Sequence, residues 1–166
     1  MVTEEFKKVA VSFAGGDGGN PKSEVWFCGL EWGIGDGTSL DNFYEKFSLS
    51  PKLIPHSWVE DDFDGSWTTQ YNRKICWFLW YYYNLDWKNG ESAEHFVKKY
   101  DVLYPQGIGF KLNMLPINFK NRSSIKWNDQ FIKMTGFETF NEYREWCVEN
   151  RGAFYRQLID ECHPKV

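Results

Sequence analysis

The sequence predicts an α/β fold, a three-layer α/β/α sandwich around a short central parallel sheet, and three observations carry that prediction. Two apolar runs, near residues 24–28 and 108–115, have strand length and end at turn residues. Segments with apolar residues at three- and four-residue intervals flank and separate them, as crossover connections between parallel strands require. The length of 166 residues, with 42% hydrophobic and 25% charged, is that of one globular domain able to bury a core.

Each element follows in order. Thr3 caps a helix reaching Ala14, with Phe6, Val9, Ala10 and Phe13 on one face. The glycine run from Gly15 to Pro21 ends it and reads as a connector, because it precedes a strand and lacks the Gly-Lys-Ser/Thr ending of a phosphate loop. The first strand spans Glu24 to Cys28, and the glycines from Gly29 to Gly37 let backbone approach a ligand closely. Thr38 or Ser39 opens a short helix to Phe47, and residues 51–65 form a polar loop. Ser66 or Thr68 opens a helix to Asn84 whose run Cys76–Tyr83 is apolar or aromatic all round, which predicts a buried helix; Trp26, Trp77, Trp80 and Trp87 are assigned to the core. Ser92 begins a helix to Tyr100, Ile108–Leu115 forms the second strand before Pro116, and a basic loop follows to Lys126. The last forty residues are helical, with Asn150-Arg151-Gly152 as a break. Pro164–Val166 reads as the start of another strand. Two strands are too few for a stable sheet, so the expectation is a single domain over 1–166 that forms the N-terminal portion of a longer one, its C-terminal strands absent.

Aromatic residues make up 19% of the chain, more than a core of this size uses, so some rings should line a pocket or interface; bases, sugars and protein partners all suit such rings. A net charge of −4 argues against coating nucleic acid by charge alone, leaving one basic patch, Lys111, Lys120, Arg122, Lys126 and Lys133. The four cysteines are widely spaced, without a paired metal-ligand pattern, and read as free thiols in a reducing compartment. The N-terminus has no secretory pattern and no apolar stretch reaches membrane-spanning length, so a cytoplasmic protein without membrane contact is expected.

Glu31 stands where an apolar run gives way to a turn, between Gly29 and Gly33, the end of a parallel strand where ligands bind. It is either a chemical carboxylate or the cap of the next helix. Asn113, inside the second apolar run, either reads a ligand or satisfies buried backbone.

Gly29-Leu30-Glu31-Trp32-Gly33 resembles the Gly-x-Asp/Asn-Pro-Gly/Tyr strand end of the uracil-DNA glycosylase superfamily, and Phe110–Pro116 resembles the later strand that carries its asparagine. The closing helix with Arg151, Leu158 and Ile159, then Pro164-Lys165-Val166, is similar to that family's approach to its third strand. The resemblance implies that Glu31 positions the water attacking an anomeric carbon, that Asn113 reads a pyrimidine edge, and that Tyr44 or Phe43 stacks on the base, with Gly29, Leu30, Trp32 and Gly33 shaping the pocket. Lys120 and Arg122 would hold the nucleic acid. Trp32 departs from the family's proline, and His163-Pro164 matches its His-Pro-Ser-like loop only superficially, following a helix directly. The implied reaction is hydrolysis of an N-glycosidic bond in DNA or a nucleotide, with no metal and no organic cofactor. Two other classes stay open: a noncatalytic nucleic-acid-binding module, and a protein-interaction module or homo-oligomer paired through an open sheet edge.

Overall fold

The computed structural model describes residues 1–15, 17–30, 50–57, 70–88, 90–117 and 127–166. Among these lie α1 (Glu4–Ala10), β1 (Gly18–Gly19), β2 (Trp26–Gly29), α2 (Gln70–Tyr82), α3 (Ala93–Tyr100), β3 (Phe110–Asn113), α4 (Asp129–Thr135) and α5 (Phe140–Cys162). The fold is mixed α/β with a small three-stranded sheet in the order β1-β3-β2. The expected parallel pairing is present between β2 and β3, where the Phe110 amide donates to the Val25 carbonyl and the Met114 amide to that of Gly29. β1, by contrast, is antiparallel to β3. The chain divides into two compact units, Met1–Gly16 with Cys28–Ile54 and Asn113–Leu158, and Asp17–Phe27 with Pro55–Leu112 and Ile159–Val166.

In the first unit, the Thr3 hydroxyl accepts the Phe6 amide and so caps α1, whose buried stripe is Phe6, Val9 and Ala10. Phe6 and Ala10 join Leu115, Ile117, Phe131, Tyr143 and Cys147 in one core. Rings dominate it: Phe6 meets Phe137 edge-on at 5.9 Å, and Trp127 stacks on Phe131 at 4.8 Å. Such pairs contribute about 0.5–1.5 kcal/mol each beyond their burial, which accounts for part of the aromatic excess. α5 runs unbroken through Gly152, contrary to the expected break, because tertiary packing outweighs the glycine's helix penalty of about 1 kcal/mol.

In the second unit, the glycine run supplies a strand as well as a connector. Gly18 lies opposite Lys111 and Gly19 opposite Phe110, and a Cβ on Gly19, at φ +97°, would stand 2.6 Å from the Gly109 carbonyl oxygen. Only glycine allows so close a backbone approach. α2 buries Ile75, Cys76 and Leu79 and leaves Trp77, Phe78, Trp80 and Tyr81 exposed. The expectation of a wholly buried helix is therefore wrong: one stripe meets the core and the other rings face outward. At the chain's end the Val166 amide donates to the Glu24 carbonyl and the Val166 carbonyl accepts the Trp26 amide. These two bonds hold Val166 beside the start of β2.

Candidate functional site

Glu31, Trp32, Gly33, Phe43, Tyr44, Lys120 and Arg122 lie outside the described residues. What precedes Glu31 is described. The Gly29 carbonyl accepts the Met114 amide at 3.0 Å and the Leu30 carbonyl accepts the Leu115 amide at 2.7 Å, so the two strand ends lie side by side. Asn113 is 1% exposed, and its Nδ2 donates to the Gly15 carbonyl at 2.8 Å. Its own carbonyl accepts Arg151 Nε at 2.8 Å and the Tyr155 hydroxyl at 2.6 Å. At least one Asn113 amide donor therefore works inside the fold. His163 follows α5 at φ +52°, its amide donating to the Ile159 carbonyl, so the residue ends the helix.

A second site, assigned to the core by sequence reasoning, lies in the other unit. Helical spacing sets Arg73, Trp77 and Trp80 on one face of α2 at i, i+4 and i+7. Beyond α2 the chain returns so that Trp87 meets Trp80 edge-to-face at 6.4 Å. Trp87 is fixed on its far side by stacking on Phe96 at 4.4 Å and by its indole N–H, which donates to the Glu91 carbonyl at 3.0 Å. With Lys88, Gly90 and Glu91 these residues line a cleft of about 290 Å³. That is near the lower limit of ligand pockets, the size of a single ring-bearing group.

The cleft's charges are unevenly committed. The Glu91 carboxylate accepts the Lys88 backbone amide at 3.0 Å and pairs with His95 Nε2 at 3.0 Å. Arg73 lies over the Trp77 ring, its guanidinium carbon 5.3 Å from the centroid, and neither Arg73 nor Lys88 forms an ion pair with a described residue. Trp77 is 49% and Trp80 41% exposed. The cleft thus offers indole faces beside two available cations. A cue existed in the sequence, since Arg73 stands four residues before Trp77 and seven before Trp80, but the unbroken aromatic run hid which face would be buried.

The same unit holds one buried amine. Lys111 on β3 is 4% exposed, with Nζ 5.1 Å from the Tyr71 ring centroid. Burial pushes its ammonium down to about 8, partly opposed by the charge of Asp17. Among the described residues no three His, Cys, Asp or Glu side chains are grouped to hold a metal ion. No described helix is long and apolar enough to cross a membrane.

The chain matches no family model, no curated protein and no solved structure. The glycosylase likeness accordingly rests on its short motifs.

Proposed function

We propose that this chain binds a nucleobase or nucleotide at the carboxyl ends of β2 and β3, on a glycosylase-like three-layer scaffold, and that Glu31 there supports hydrolysis of an N-glycosidic bond. The supporting observation is the pair of hydrogen bonds from Met114 and Leu115 to the Gly29 and Leu30 carbonyls, because it brings together the two strand ends that carry the motif residues. In this reading a carboxylate at position 31 orients water and offsets the positive charge that develops on the sugar. Asn113 acts as a positioning residue, holding the end of β3 against Gly15. The protein would then be a hydrolase of DNA repair, working in the cytoplasm, with Lys120 and Arg122 toward the phosphates.

The test is release of free uracil from a uracil-containing oligonucleotide. Wild-type protein should release it, and Glu31→Gln should lower the rate by about 10²-fold or more with an unchanged circular dichroism spectrum. Absence of release by folded wild-type protein sinks the hydrolytic reading. Oligonucleotide binding without release would instead mark a noncatalytic binder on the same scaffold.

A further inference from the structure

We infer that the cleft of Arg73, Trp77, Trp80, Trp87 and Lys88 is a stacking site for one nucleotide unit, a planar ring carrying an anionic phosphate. It shares its ligand class with the reading above and none of its residues. Three features select that class. The indoles of Trp77 and Trp80 are 49% and 41% exposed, although burying such rings is favourable, so the fold leaves large apolar faces for something else to cover. Trp87 forms a fixed wall, held by Phe96 on one side and by the Glu91 carbonyl at its N–H. The cleft carries two positive charges against one negative: Arg73 and Lys88 pair with no described carboxylate, while the Glu91 carboxylate accepts the Lys88 amide and contacts His95 Nε2, an ion pair only when that imidazole is protonated.

A quaternary ammonium would suit the rings but not two neighbouring cations. A neutral sugar would leave those cations unanswered. A nucleotide uses both parts, its base on the indoles and its phosphate toward Arg73 and Lys88. Gly90, at φ +88° with open space around its Cβ position, gives the segment carrying Lys88 and Glu91 its turn, so the requirement there is conformational.

The experiment is fluorescence anisotropy of a labelled ten-residue oligothymidylate titrated with the whole chain. Saturable binding should weaken as salt rises, and Arg73→Ala with Lys88→Ala should reduce the log–log salt slope by about 1.4, since each neutralised phosphate contributes about 0.7. Trp77→Ala and Trp80→Ala should each weaken binding by about 5- to 150-fold, the equivalent of about 1–3 kcal/mol for one stacked base, while Trp77→Phe keeps part of it. Both rings are exposed, so an unchanged denaturation midpoint shows that the variants fold.

Unlabelled thymidine monophosphate separates two sources of the same chemistry: competition marks a free nucleotide, and competition by oligomer alone marks a strand. Undiminished affinity in the folded Trp77→Ala/Trp80→Ala double variant overturns the inference, as does absence of binding by wild type, or salt-independent binding displaced by a neutral maltooligosaccharide. Uracil release with Trp-independent binding sinks this inference alone. Trp-dependent binding without uracil release sinks the hydrolytic strand-end reading alone.

Discussion

Arg151 brings a full charge into the interior, where backbone carbonyls receive it. Nη1 donates to Ala10 and Ser12 at 2.8 and 2.9 Å, Nη2 to Ala14, and Nε to Asn113, while the guanidinium lies 5.1 Å from the Tyr155 ring centroid. The carbonyls at and just past the end of α1 have no further turn of helix to accept from, and the planar fork of arginine answers several at once. Removing it strands buried acceptors at about 1–3 kcal/mol each, so Arg151→Met should lose at least about 3 kcal/mol in urea denaturation. Arg151→Lys should recover only part, because one ammonium cannot span the same acceptors. Burial also pushes the Cys76 and Cys147 thiols up to about 12, whereas Cys28 is exposed. In native protein at pH 8 an aromatic disulfide reagent should therefore modify Cys28 well before Cys76 or Cys147, which should react only after denaturant is added. At this scale the sequence was readable where the cause is local, as at Thr3 and Ser92, both of which cap their helices as expected. At Asn113 it offered buried backbone as one of two roles, which the bond to Gly15 fills, but not the partners, because Gly15, Arg151 and Tyr155 are far away along the chain.

Elements were legible in proportion to their periodicity. α3, β2 and β3 appear within a few residues of the expected bounds, as does α2 apart from its opening residues, 66–69, which lie outside the described set. The aromatic run in α2 gave its helix but not its orientation, because a helix of rings presents no polar face to mark the outside. β1 was missed for the opposite reason: two glycines carry no side-chain pattern, and their pairing depends on the approach of Gly109 and Lys111. In α5, a Cβ at Gly152 would meet, among the described residues, Arg156 Nη1 at an ordinary 3.7 Å. Gly152→Ala should therefore stabilise the protein by up to about 1 kcal/mol, seen as a rise of roughly 2–4 °C in calorimetric midpoint. A fall would mean that the helix needs glycine there for a reason other than space.

At the scale of the molecule, the strongly shifted groups combine into a signed pH response. Lys111 has its folded pKa depressed from 10.5 to about 8, so its burial cost is present below pH 8 and is relieved as pH rises toward 10.5. The Cys76 and Cys147 thiols have folded values raised from 9.0 to about 12; their contribution is complete below pH 9 and is lost as pH climbs toward 12, by on the order of 1 kcal/mol per thiol at pH 10. Tyr143, raised well above 10.0 by burial, adds to that loss. Stability should therefore rise slightly from pH 8 to 9 and fall beyond it, as denaturant midpoints across that range will show. A profile still climbing at pH 10 contradicts this balance. The two strand ends show how far the whole could be anticipated: the alternation of elements foretold two adjacent parallel strands, while the pocket residues beyond them lie outside the described set. Arg151, finally, sets an order of events during synthesis. The carbonyls of Ala10, Ser12 and Ala14 wait for a guanidinium some 140 positions later, so on a ribosome adding about 5–20 residues per second the N-terminal segment stays unfinished for on the order of ten seconds. Through that interval hydration water must stand in for the arginine, and a chaperone has its opportunity to bind.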